Sequence, residues 1–189
     1  MKVKGLLVAA VAAMMCFGAQ NASAIEAPNH EGDFNLNIMG GCLTGYAKTV
    51  GIGASVSGDY VLINSWWKGH FTVGGFVDYN TSKVSDDDYW NVYYNNFSIM
   101  ARATYGLNIT DKFEVHAGAM SGPVFYSEKW KKEKDGSTWE PSDDKSTDFD
   151  VAGVAGCRYY FSDSFAVTSE LIQGTRTHTL FNVGVSFKF

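Results

Sequence analysis

Beyond residue 24 the chain has no continuous apolar run of 18 or more residues, so no part of it can cross a bilayer as a helix. If a membrane is its solvent, a closed β-barrel is the one architecture left. Proline is scarce, three residues against 20 glycines, which suits a β protein whose strands approach one another closely. Cysteine is scarce too, at three residues. Excess positive charge is lacking: the formal charge is −5, and −7 once Lys2 and Lys4 are set aside, which does not invite nucleic acid.

What is there begins with "MKVKGLLVAAVAAMMCFGAQNASA", two lysines, an apolar run and Ala22-Ser23-Ala24, the pattern of a cleaved secretory signal peptide over residues 1–24. Cys16 raises a lipoprotein leader as the lesser alternative, against which Met15 stands where that motif wants a small residue. Residues 25–189 are then the size of one domain.

Along them, period-two alternation recurs eight times, the last in "FNVGVSFKF" (181–189). The cleanest example is "NFSIMARATYGLNI" (96–109), with Phe97, Ile99, Ala101, Ala103, Tyr105, Leu107 and Ile109 on one face and Ser98, Arg102, Thr104 and Asn108 on the other. Val61 and Ile63 blur the second segment, and Pro123 suggests that the fifth leaves its ladder near its far end. Short links ("NSWWK", "TDK", "SDS") alternate with variable ones that include "NTSKVSDDDYWNVYYN" and the long stretch Ser127–Asp148. An even strand count, short turns on one rim and longer loops on the other predict an eight-stranded antiparallel up-and-down transmembrane barrel.

Alternation alone does not say which way the apolar face points, since soluble lipocalin-like barrels also have eight strands. Three features decide it, and the first is charge: Arg102, Glu114, His116, Asp150, Arg158, Glu170 and Lys188 share the polar face, where mixed signs can neutralise one another inside a narrow barrel. Trp66 and Trp67 near one rim, with Tyr79, Trp90, Tyr93, Tyr94 and Tyr126 near the other, suit a two-sided interfacial girdle. The ending "VGVSFKF", with Phe189 last, looks like the terminal strand by which bacterial outer-membrane barrels are recognised for insertion. With the signal peptide and the run "GCRYYFSDSFAVTSEL", the chain resembles the OmpA/OmpX-like family of small outer-membrane β-barrels.

That resemblance implies the outer membrane of a Gram-negative-type bacterium, contact with membrane lipid and lipopolysaccharide, and handling by the barrel-assembly machinery through the strand ending at Phe189. It implies roles in envelope integrity, adhesion or other surface interaction, without choosing among them. The rivals are an outer-membrane lipid-modifying enzyme and a soluble periplasmic ligand-binding barrel. Catalysis is not expected: His178 and Thr179 do not reproduce the His-x-Ser arrangement of lipid A deacylases, and no cofactor or resident metal is called for.

Opposing "FSDSF" across its turn sets Phe161 against Phe165 and Arg158 against Thr168, one diagonal from Glu170. A direct Arg158–Glu170 contact is therefore predicted, with Arg102 joining across the lumen. Strand order predicts that Cys42 and Cys157 stay unpaired. In the loops, Asp86, Asp87 and Asp88 are candidates for a cation or lipopolysaccharide contact, and Trp130 and Trp139 for a partner-binding surface.

Overall fold

The computed structural model describes residues 29–44, 50–66, 69–86, 90–132, 144–174 and 179–189. Eight strands follow in chain order: β1 (Phe34–Thr44), β2 (Val50–Trp66), β3 (Gly69–Asp86), β4 (Trp90–Asn108), β5 (Phe113–Lys132), β6 (Asp144–Ser162), β7 (Phe165–Gly174) and β8 (Thr179–Lys188). Each pairs antiparallel with its neighbours in sequence, and β8 returns to β1 to close the ring. Closure leaves the common wall without an edge. At the seam Phe34 and Phe189 exchange backbone hydrogen bonds of 3.0 and 2.9 Å, and Gly32, at φ 95°, turns the chain into β1.

The alternation maps onto inside and outside as the charge distribution demands. Ile52 is 68% exposed and Phe149 64%, whereas Arg158 is 1% exposed and Glu114 and Glu170 are fully buried. A soluble barrel would bury the first pair and expose the second set, so the apolar face points outward. The Val61–Ile63 ambiguity has a local cause. Val61 opposes Thr72 but Ile63 opposes Phe71, so Leu62 is an extra residue. That bulge turns Leu62 and Ile63 both outward while Val61 is fully buried.

Strand height is uneven. Ten tilted residues, as in β7 and β8, rise roughly 25 Å and match the apolar band of an outer-membrane barrel, whereas the 20 residues of β5 rise roughly twice that. The second and third loops expected from sequence are therefore largely strand: Val84 pairs with Val92, Asp86 with Trp90, and Glu128 with Asp144. β7 ends at Gly174 opposite Ala152, and the β2–β3 pairing stops at Ile52–Thr81. Above those levels β3 to β6 continue as a four-stranded sheet standing clear of the ring.

Pro123 does not end β5. It opposes Phe149 on β6, while Gly122 and Pro123 drop out of the β4 ladder, which resumes at Val124–Ser98. A proline that turns its missing N–H toward one neighbour costs rungs on that side only. Nor do Phe161 and Phe165 oppose each other: Ser162 pairs with Phe165, Phe161 bulges, and the register recovers so that Arg158 still faces Thr168.

Cys42 and Cys157 are both free, on β1 and β6 with β7 and β8 between them. Reductant is accordingly expected to leave gel mobility and unfolding midpoint unchanged. A mass 2 Da below the reduced value would contradict the strand order.

Candidate functional site: the lumen and the loop end

The interior is built in layers because every second residue of eight strands points into a space only a few side chains wide. In the layer nearest the turns, Asn29 enters from the segment before β1. Its amide nitrogen donates to Glu114 Oε2 at 2.6 Å and Tyr160 Oη at 2.8 Å, and its carbonyl accepts from Asn35 at 3.1 Å. Tyr160 donates to the same Glu114 oxygen at 3.1 Å, and His70 lies 3.6 Å from it.

The next layer holds the charges. Arg158 reaches Glu114 Oε1 at 3.1 Å and Asp59 Oδ2 at 3.0 Å; Arg102 reaches Asp59 Oδ1 at 2.9 Å and makes a two-bond fork onto Glu170 at 3.0 and 3.1 Å. His116 bridges Glu114 (3.5 Å) and Glu170 (3.1 Å), and Asn37 donates to Asp59 at 3.0 Å. Two guanidinium groups thus share three carboxylates drawn from β2, β5 and β7.

The direct Arg158–Glu170 contact is not formed. Register puts Glu170 opposite Gly156 and Glu114 directly opposite Arg158, so Arg158 meets its ladder partner Glu114 and, across the narrow lumen, Asp59, leaving Glu170 to Arg102 and His116. Asp150 is buried higher up, where its carboxylate accepts from the Val151 N–H at 2.8 Å. Lys188 is at the rim, 3.5 Å from Asp33. Asp59, Asn29 and Tyr160 enter the network without having been singled out from sequence. Period two places Asp59 and Tyr160 inside with Ser57 and Arg158, whereas Asn29 precedes all alternation and carries no such signal.

Above the charges lies an apolar layer: Met39, Phe76, Met100, Met120, Val124, Ala152, Val154, Ile172 and Leu180 are all buried, with Tyr126 packed against them. Tyr126 therefore faces the lumen and not the membrane surface. The outward aromatic row at this end is Tyr79, Phe97, Phe125 and Phe149, in which Phe97 and Phe125 stack at 6.0 Å. At the mouth, Asp78, Asn80, Asn96 and Ser98 border a cavity of about 30 Å³, room for a water or two.

A charged layer filled by its own counter-ions and a methionine-rich layer that excludes water close the lumen twice. In planar bilayers the protein is expected to give no discrete conductance steps, and Phe76→Ala with Met120→Ala to introduce none while the charges remain. Steps of porin size from the unaltered protein would contradict this closure.

The other candidates from sequence are unevenly placed. Asp86 ends β3, its backbone paired with Trp90, and Trp130 lies in β5 opposite Val92. Asp87, Asp88, Trp139 and His178 lie outside the described residues. Among the described residues no group of His, Cys, Asp or Glu could hold a metal ion.

Residues 9–189 match the family model for the outer membrane protein beta-barrel domain. The chain belongs to that family. Among solved structures it is similar to a major outer membrane protein of Thermus thermophilus, at 12% identity and TM-score 0.62, covering 85% of this chain and 100% of that one. It is also similar to Ail, the attachment invasion locus protein of Yersinia pestis, solved with the heparin analogue sucrose octasulfate, at 12% identity, TM-score 0.57 and the same coverage. Neisserial surface protein A matches at 15% identity and TM-score 0.50, over 85% and 98% of the two chains. A search of curated proteins gave no match. At these identities the structures speak for the fold alone, and family membership places the protein in the outer membrane. The turn end, which carries both Phe34 and Phe189, is then periplasmic, and the tall sheet is extracellular.

Proposed function

We propose that this outer-membrane barrel works at its extracellular sheet, in attachment or another surface interaction, and that its interior is structural and not catalytic. One observation carries the reading: β3 to β6 continue about twice as far as a membrane crossing requires, whereas the lumen beneath them is filled by charged and apolar layers. The part of the wall above the membrane contributes nothing to spanning the bilayer and offers both a four-stranded face and exposed β6 residues from Asp144 to Asp148 to a partner.

The test expresses the full chain in a non-adherent Gram-negative strain and counts cells retained on epithelial monolayers and on heparin-coated plates, heparin being suggested by the Ail complex. A variant with residues 82–92 and 127–145 replaced by short turns should remain a folded, heat-modifiable barrel and lose retention severalfold. Equal retention of wild type, trimmed variant and empty strain on every surface would overturn the attachment reading.

A further inference from the structure

One rung of the wall crosses five strands at the level of the charges: His70 on β3, Gly106 on β4, His116 on β5, Gly156 on β6 and Glu170 on β7 are successive partners. The two glycines make room for the imidazoles. A Cβ on Gly106 would lie 2.4 Å from His70 Nε2, and one on Gly156 would lie 2.6 Å from His116 Nε2 and 2.9 Å from Glu170 Cγ. Because Gly156 carries no side chain, the His116 ring leans across β6 and reaches Glu170 on the strand beyond.

The ring is buried, and both of its nitrogens face carboxylates: Nε2 stands 3.1 Å from Glu170 Oε1, and Nδ1 stands 3.5 Å from Glu114 Oε1. A neutral imidazole has one N–H and one lone pair, so either tautomer would aim its lone pair at a buried carboxylate. The imidazolium offers an N–H to each.

Charge counting leads to the same state. Into this layer come Asp59 from β2, His70 from β3, Arg102 from β4, Glu114 and His116 from β5, Arg158 and Tyr160 from β6, and Glu170 from β7. From β1 and β8 come Asn35, Asn37, Asn182 and Ser186, which carry no charge. Asp78 is separated from the layer by Phe76, Asp150 is separated by Ala152 and Val154, and Asp33 pairs with Lys188 at the rim. Two guanidinium groups therefore face three carboxylates, and Tyr160 donates its hydroxyl hydrogen to Glu114 without adding charge. One buried negative charge is left to balance. His70 is poorly placed to do so. Its Nε2 lies 3.4 Å from the Asn29 amide nitrogen, itself a donor, and 3.6 Å from Glu114, and its Nδ1 meets no acceptor among the described residues.

We propose that His116 is a proton-binding site: an imidazolium held between Glu114 and Glu170 is the third cation of the plug, and the chain takes this proton up as the barrel closes. The proton joins Glu114, the partner of Arg158, to Glu170, the partner of Arg102, on the side of the lumen away from Asp59. Since the folded chain then binds more protons than the unfolded chain in mildly alkaline solution, stability falls as pH rises.

Proton–nitrogen correlation spectra of the full chain, labelled at histidine and folded in detergent micelles, test this at about pH 8, where a free imidazole is nearly all neutral. His116, assigned through His116→Gln, should carry hydrogens on both ring nitrogens, and His70 on one. Glu170→Gln keeps the partner's shape but removes its charge, and should return His116 to a neutral tautomer. Should that variant fail to fold, the spectrum of the unaltered protein still decides. Urea unfolding in lipid vesicles gives an independent reading: the folding equilibrium constant should fall by up to about tenfold per pH unit above neutrality, and His116→Gln should flatten that dependence. A neutral His116 in the unaltered protein would overturn the proposal, whether or not His70 is charged. So would an imidazolium that survives Glu170→Gln, or a pH dependence that His116→Gln leaves unchanged.

Discussion

Replacing Arg158 with methionine is expected to cost about 3–5 kcal/mol and to abolish the SDS-resistant folded band, although methionine fills much of the same volume. The loss comes from what is left behind. Glu114 keeps Asn29, Tyr160 and the two imidazoles, but its guanidinium partner at 3.1 Å is gone, and Asp59 keeps Arg102 and Asn37 but loses the second guanidinium. Both carboxylates are fully buried, out of reach of bulk solvent that would otherwise compensate the missing charge. Urea unfolding in lipid vesicles, read by tryptophan fluorescence, measures the change. A second variant separates charge from shape: Arg158→Met combined with Glu114→Gln and Asp59→Asn should recover most of the loss, because the uncompensated charges go with their partner. A midpoint unmoved by Arg158→Met would mean that the charged layer contributes nothing to holding the barrel together.

The second large effect concerns a residue with no side chain. A Cβ on Gly184 of β8 would lie 2.0 Å from the carbonyl oxygen of Ile38, 2.6 Å from the Met39 Cα and 2.8 Å from the Ile38 carbonyl carbon. All three are β1 backbone atoms, which cannot swing aside as a side-chain tip can. Gly184→Val should therefore keep β8 from docking on β1 and leave an open, protease-sensitive sheet that never becomes heat-modifiable. Gly153→Val, by contrast, projects into lipid and should fold within about 0.5 kcal/mol of wild type. The same substitution at two strand glycines thus separates a requirement of closure from a free surface. A folded Gly184→Val barrel would show that the seam tolerates a wider spacing than the backbone contacts allow.

Much of this architecture is legible in the chain because a barrel wall obeys a rule of period two. Phe181, Val183, Val185 and Phe187 point outward together for the same reason that Asn182, Gly184 and Ser186 point inward. Parity breaks where one residue is inserted, and the extra Leu62 and the bulged Phe161 are local backbone events that no side-chain pattern announces. Pairing across the lumen is illegible for a different reason. Register fixes neighbours along the wall, such as Arg158 and Glu114 on the paired strands β6 and β5, but Asp59 comes from β2 across the ring, and its meeting with Arg158 depends on the width and shear of the closed barrel. The apolar layer is hidden by composition: Met39, Met100 and Met120 sit at inward positions of strands that also turn Asn37, Arg102, Glu114 and His116 inward, so they look like exceptions to a charged plug. The tall sheet reads as loops in the sequence because Asp, Asn, Ser and Lys dominate it. Those residues usually mark turns, yet here they stand on paired strands, exposed on successive positions of β6.

The mutual hydrogen bonds between Phe34 and Phe189 make the start of β1 and the end of β8 as close as two residues in a tight hairpin. Joining them by a short linker around the Asn29 segment and opening the chain instead at Asp163–Ser164 would preserve every ladder of the ring. Such a circular permutant changes only the order in which strands reach the membrane. If it folds more slowly than the parent while reaching the same stability, arrival order is a property of assembly that the finished barrel no longer remembers.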